Sequence, residues 1–317
     1  MSFFNALLSS MPGAVAQGMV WGIMAIGVYI TYKILDIADL TVDGSICTGG
    51  AVCVVLTLNG CPVWLAMLAA LVAGMLAGAV TGILHTFFGI PAILAGILTQ
   101  LALYSTNLRI MGWGTKNGSQ ANLPISVDKY DLAVSSRYVR LLSLKNPVFL
   151  LVVLVAVCIA ALYWFFGTEL GCSLRATGAN GNMARAQGIN TNVAKVLGLM
   201  VSNGLVALAG SLLAQYQGFS DINMGRGAIV IGLAAVIIGE VIFDRIFRNF
   251  ALKLLASVFG AIIYYIVIQF VLRLGLSTDD LKLLSAVVVA LFLAIPYWKG
   301  KYFAKPVSVK KEAKDNA

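Results

Sequence analysis

Apolar runs close to the length of a membrane span recur along this chain, and they limit its fold more than any single residue does. They cover residues 12–32, 63–87, 91–111, 147–166, 193–214, 228–243, 250–272 and 281–297. A helix needs about 20 largely apolar residues to cross the hydrocarbon core of a bilayer. Composition points the same way. Hydrophobic residues make up 60% of the 317 and charged residues 11%, whereas a soluble domain carries roughly 25% charged residues. Too little polar side chain is present to cover a water-facing surface. The expected fold class is therefore all-α, a polytopic membrane helix bundle of about eight to ten transmembrane segments.

One further run, 46–58, has only about 13 residues and is too short to cross alone. The polar stretch Lys33-Ile-Leu-Asp-Ile-Ala-Asp-Leu-Thr-Val-Asp-Gly-Ser precedes it. Together they read as a broken helix. Irregular backbone survives at membrane depth only where protein or a water-filled cavity covers it. Residues 39–46, Asp-Leu-Thr-Val-Asp-Gly-Ser-Ile, can be laid over 221–228, Asp-Ile-Asn-Met-Gly-Arg-Gly-Ala, and Gly50 then meets Gly232. An odd number of spans separates the two segments, which places them on opposite faces, as in an inverted repeat. Gly74, Gly78 and Gly82 recur every fourth residue, a small-residue stripe that lets a second helix approach closely.

Charge sets the orientation. The net charge is +9, and Lys299, Lys301, Lys305, Lys310, Lys311 and Lys314 crowd the tail. A basic tail is expected in the cytoplasm, against lipid headgroups rather than nucleic acid. Counting back from it puts 244–249 and 167–192 inside, and 112–146, 220–227 and 275–280 outside. The 112–146 loop runs against the charge rule, since it carries Lys116, Lys129, Arg137, Arg140 and Lys145. The first basic residue, Lys33, follows the first span. That argues against a cleavable signal peptide and for an outside N-terminus.

Few residues carry chemistry. Cys47, Cys53, Cys61, Cys158 and Cys172 form no C-x-x-C pair, and His85 is the single histidine. A zinc site needs about four ligands, so the cysteines read as small buried hydrophobes. There is no H-E-x-x-H, no G-x-S-x-G and no pair of carboxylates within one span, which speaks against an intramembrane enzyme. No G-x-x-x-x-G-K-[ST] phosphate loop occurs, so any ATP hydrolysis must come from another chain.

Polar side chains inside spans are costly and face a cavity or a partner. Gln100, Tyr104 and Asn107 share one helix face by their i, i+4, i+7 spacing, with Thr99 and Thr106 beside them. They either bond neighbouring helices or line a translocation path. Asp43, Ser45 and Thr48 lie at the mouth of the short helix. Asp43 fits either a substrate ammonium or a local Lys or Arg. Glu240 falls near the inner end of its span, beside Arg245. In the 167–192 stretch, Asn180 or Asn182 can cap a short helix. Residues 183–187 favour it, and Gly188 can close it. Two turns of helix are not stable alone in water. This helix, with Arg185 beside its Met and Ala residues, must pack on its own protein or dock a partner.

These segments carry a resemblance. Leu174-Arg-Ala-Thr-Gly-Ala-Asn through Ala184-Arg-Ala-Gln-Gly-Ile-Asn resembles the cytoplasmic loop of ABC importer permeases of the branched-chain amino acid and ribose type. So do the run 204–210, Asn223-Met-Gly-Arg-Gly and Ala234-Ala-Val-Ile-Ile-Gly. Asp39-Leu-Thr-Val-Asp-Gly-Ser is similar to that family's Leu-Ser-Val-Gly segment. Ile90-Pro-Ala-Ile-Leu-Ala-Gly-Ile-Leu-Thr is similar to its Pro-containing helix. The set covers most of the chain in the expected order. It departs at Asp43, where the family has a small or apolar residue, and at Glu240, where a second Gly is common.

The resemblance implies a multi-pass permease subunit in the inner or plasma membrane of a prokaryote, itself no enzyme. Residues 1–298 would form the transmembrane domain, 167–192 its cytoplasmic coupling loop and 299–317 a basic cytoplasmic tail. Its implied partners are an ABC ATPase, an extracytoplasmic substrate-binding protein, a second permease copy in a homodimer, and the bilayer. ATP and Mg would sit on the ATPase, with no cofactor on this chain. Arg175, Gly178, Asn180, Met183, Ala184, Arg185 and Gly188 would couple to the ATPase. Asp43, Ser45, Thr48, Thr99, Gln100, Tyr104 and Asn107 would line the pathway of an alternating-access importer. The substrate class would be an amino acid, aromatic ahead of branched-chain. The competing reading is an ion-coupled secondary transporter with Asp43 or Glu240 as its proton or cation site.

Overall fold

The computed structural model describes residues 3–273 apart from 115–117, 128, 140–145, 245 and 248, together with 283, 286–292 and 294. The 299–317 tail and eight of the 17 residues of the expected last span lie outside the described residues.

Helix lengths repeat along the chain. The first set is α1 (Phe3–Tyr29), α2 (Val42–Leu58) and α3 (Val63–Thr86), of 27, 17 and 24 residues. The second is α8 (Thr191–Gln217), α9 (Ala228–Phe243) and α10 (Phe250–Arg273), of 27, 16 and 24 residues. Each set is long, short, long. The closest packing crosses between them, with α3 along α8 and α1 along α10. The short helix α2, read from sequence as an incomplete span, begins at Val42, ahead of its apolar run. It is buried on almost every side by α8, α3 and α4 (Ala92–Met111).

The glycine stripe explains the tightest contact. A Cβ on Gly74 or Gly78 would run into the carbonyls of Asn203 and Leu199 on α8. The opposite face of α3 exposes Leu65, Leu68, Val72 and Leu76 at helical spacing, as a face meeting lipid requires. Small residues therefore turn toward protein and large ones toward the bilayer. Five helices among the described residues are long and apolar enough to cross, within α1, α3, α5 (Pro147–Gly167), α8 and α10. The short α2 and α9 and the more polar α4 complete the bundle.

The two ends of the bundle differ. At one end α1 widens into a π-helical turn, Ile30–Ile34, and Asp36 takes a left-handed φ of 54°. Residues 35–41 then run back as non-helical chain whose side chains alternate between buried and less buried. This end also carries α6 (Glu169–Ala179) and α7 (Gly181–Ala186). Sequence reading foresaw α7 but took the stretch before it as loop. It holds a second helix instead, capped by Thr168 and burying Gly171, Leu174 and Thr177. At the other end two short strands, β1 (Asn122–Pro124) and β2 (Phe219–Asp221), pair antiparallel, with Leu123 opposite Ser220. Asn122 Nδ2 donates to Asp221 Oδ2 at 3.2 Å, and Ala133 N donates to Gln215 Oε1 at 3.1 Å. The long loop is thereby pinned to the end of α8.

Candidate functional site

The starts of α2 and α9 meet inside the bundle. Each helix begins after a non-helical lead-in, so each has N–H groups without intrahelical acceptors and the positive end of a helix dipole. The Asp43 carboxylate, in the first turn of α2, reaches across to the second start. Its Oδ2 accepts from Gly227 N and its Oδ1 from Ile229 N, both at 3.0 Å. Gly225 lies against the Asp43 carbonyl, where a Cβ has no room, and Cys47 Sγ reaches Ile222 O at 3.2 Å. Asp43 is thus the cap of α9, borrowed from a residue 184 positions away. In the described structure its oxygens are taken by backbone N–H groups of α9.

A buried polar chain runs from this junction. The Asp39 carboxylate accepts from Thr41 N at 2.9 Å and from Asn203 Nδ2 at 2.7 Å. Asn203 Oδ1 accepts from Ser45 Oγ at 2.6 Å, and its Nδ2 also donates to Leu199 O at 3.0 Å. An ionised carboxylate only accepts, so the Asn203 amide must face Asp39 with its nitrogen. Beside it, the Thr41 and Thr81 hydroxyls lie 2.7 Å apart and Thr81 lies 2.9 Å from Thr99, which donates to Ala95 O at 3.0 Å. All six side chains are buried. The chain joins α8, the non-helical lead-in, α3 and α4.

The expected pathway residues thus occupy three settings. Ser45 and Thr99 lie within the buried polar chain, and Thr48 bonds back to Gly44 O at 3.0 Å within α2. Asn107 is buried, donates to Gly44 O at 3.4 Å and leaves its Oδ1 without a partner. Gln100 is half-buried beside Gly44, and Tyr104 is 44% exposed. Ser105 and Thr106 extend the exposed polar strip of α4. Sequence reading passed over Asp39, Thr41, Thr81 and Asn203 as site residues. The Asp-x-Thr pattern, which favours an Asx turn, was the available signal for Asp39 and Thr41.

The second cluster lies at the α6–α7 end. Asn180 Oδ1 accepts from Asn182 N and Met183 N at 3.1 Å and starts α7. Gly188, at φ 82°, ends the turn after it. Ala184 is the one buried residue of α7, while Met183 is 63% exposed. Arg185 Nε donates to Thr191 Oγ1 at 2.7 Å, which ties α7 to the start of α8. Gly178 lets α6 touch the Ile34 carbonyl in the π-helical turn, where a Cβ has no room. The Arg175 guanidinium lies 5.5 Å from the centre of the Phe250 ring. In that same turn, Lys33 Nζ meets Glu240 at 2.9 and 3.1 Å, so α6 and the end of α9 both bear on it.

Known proteins match along most of the chain. The family described as branched-chain amino acid transport system / permease component matches residues 10–296. A tyrosine transport system permease protein of Clostridioides difficile (strain R20291) is 41% identical over 287 residues, covering 90% of this chain and 91% of the relative. An uncharacterised protein of Rickettsia prowazekii (strain Madrid E) is 35% identical over 283 residues, covering 89% and 95%. Among solved structures, a chain of PsaBC from Streptococcus pneumoniae in complex with Fab shares the fold. Its TM-score is 0.54 at 16% identity, covering 95% of this chain and 98% of that one.

Proposed function

This chain belongs to the permease family of branched-chain amino acid transport systems, and on that premise we propose that it imports an amino acid by alternating access driven by a separate ABC ATPase. As a permease component of an importer for small solutes it is a multi-pass inner-membrane protein and not an enzyme. The observation that carries the coupling reading is α7. Ala184 is its one buried residue and Arg185 bonds Thr191, while Met183 and its neighbours stand exposed. A helix this short gains stability by docking. We assign Asn180, Met183, Arg185 and Gly188 to the surface that meets the ATPase, which would carry ATP and Mg, with buried Ala184 anchoring α7 and Arg175 and Gly178 seating α6 on the rest of the bundle.

The exposed polar strip of α4 supports the pathway. Tyr104, Ser105 and Thr106 are exposed near the end of α4, one turn beyond half-buried Gln100. Lipid covers such groups poorly, whereas a water-filled passage between two copies of this chain suits them. A homodimer would bring two strips together. Asp43, Ser45, Thr48, Thr99 and Asn107 would hold the broken helices behind each strip. The pinned loop and the β1–β2 sheet, with Lys129 and Arg137 nearby, would receive a substrate-binding protein on the outer side. An aromatic amino acid is favoured as substrate because a 41% identical relative is named a tyrosine transport permease. Ion coupling has less support, since Asp43 is held by two N–H donors and Glu240 by Lys33.

The test is reconstitution of the full chain with its ATPase and binding protein in proteoliposomes. ATP-dependent uptake of labelled tyrosine is expected, and deleting residues 179–188 should abolish it. Uptake driven by an ion gradient without ATP would overturn the reading.

A further inference from the structure

A cavity of about 280 Å³ opens at the α6–α7 end of the bundle, lined by Tyr29, Lys33, Arg175, Gly178, Phe250 and Lys253 among others. Three of these side chains are cations, and none of the lining residues is an acid. Glu240 meets the site only through its pair with Lys33. Among the described residues, neither the Arg175 guanidinium nor Lys253 Nζ donates a hydrogen bond, and Arg175 is steadied by the Phe250 ring instead. Stacking holds a guanidinium in place while leaving its planar fork of donors unspent. Such a fork matches phosphate oxygens.

The depth of the cavity narrows the source of the phosphate. Its walls are the end of α1, the start of α10 and the face of α6. At the same end of the bundle, Tyr163 and Trp164 stand exposed on the last turns of α5. Exposed Tyr and Trp mark the level of the lipid headgroups. The cations therefore gather at headgroup depth around a cavity with an aromatic floor.

We propose that this cavity binds the phosphate of an anionic phospholipid in the leaflet on the α6–α7 side. The bound lipid joins the π-helical turn, α6 and α10 through Lys33, Arg175 and Lys253.

The full-length protein, purified in detergent and titrated with phosphatidylglycerol or phosphatidylcholine, reports the lipid it retains by native mass spectrometry. Phosphatidylglycerol should be kept in preference to phosphatidylcholine. Lys253→Gln should cut that preference about fivefold, the effect expected of one cation at a membrane surface. Lys253→Arg should keep it, which separates loss of charge from loss of fold. Equal retention of the two lipids by the wild type would overturn the proposal, as would a preference that Lys253→Gln leaves intact. Displacement of the lipid by millimolar inorganic phosphate would assign the site to a free anion and overturn the lipid source.

Discussion

The two ends of α9 are held by different chemistry. At its start, a single carboxylate from α2 takes two backbone N–H groups at 3.0 Å inside the bundle. At its end, Glu240 meets Lys33 across an ion pair whose side chains are 49% (Lys33) and 29% (Glu240) exposed. A charged acceptor shared by two backbone N–H groups is strong, even with one donor exposed and the other part-buried. A half-exposed ion pair is worth little and weakens with salt. The start of α9 is therefore a fixed point, and its end is the part that can shift. That end shares the π-helical turn with α6, the element next to α7. A movement at the α6–α7 end would act first on the weak contact while the strong junction holds α9 in place.

This contrast breaks if the fixed point proves cheap to remove. Asp43→Ala is expected to cost about 3 kcal/mol, within the range for hydrogen bonds to a charged group. Thermal unfolding of the purified protein measures it. Asp43→Asn keeps one acceptor and should recover part of the loss, so equal melting of the two variants would show that a single acceptor contributes nothing. Next comes Asn203→Leu, which removes one of the two donors to the Asp39 carboxylate and the acceptor of the Ser45 hydroxyl. We expect about 2 kcal/mol, the penalty of a buried group left without its partner.

Thr81→Val removes a neutral link between α3 and α4 and should cost only about 0.6 kcal/mol, the average for interhelical bonds in membranes. A loss as large as that of Asn203→Leu would mean that the three threonines act as one cooperative unit. Lys33→Gln should cost about 0.5 kcal/mol in stability, and less at high salt. Its signature is functional, because the freed end of α9 should alter uptake more than melting. A melting loss that matched Asp43→Ala would reverse the assignment of fixed and movable ends.

The α6–α7 end offers a further contrast. Arg185→Ala deletes the bond to Thr191 but leaves the buried Ala184 anchor. Melting should move by no more than about 0.5 kcal/mol, as for a surface substitution, while ATP-driven uptake falls sharply. Uptake at the wild-type rate would remove α7 from the coupling surface.

Much of this was legible in the residues themselves. Runs of apolar side chain announced a membrane bundle, because a span length follows from bilayer thickness alone. The Gly74, Gly78, Gly82 stripe announced a close helix contact, and the short run after Ser45 announced a broken helix. These signals are local, written within one helix or one span.

Three features belonged to the tertiary structure. Asp43 was weighed between a substrate ammonium and a nearby cation, yet its partners are N–H groups 184 and 186 positions away. α6 passed for loop because its stabilising contacts come from α5, α8 and the π-helical turn rather than from its own apolar content. The face set by Gln100, Tyr104 and Asn107 splits between exposed and buried positions because α2 covers only one side of α4. Helical spacing tells which residues share a face. Only packing decides what that face meets, since a hydrogen-bond partner far along the chain leaves no mark on the local pattern.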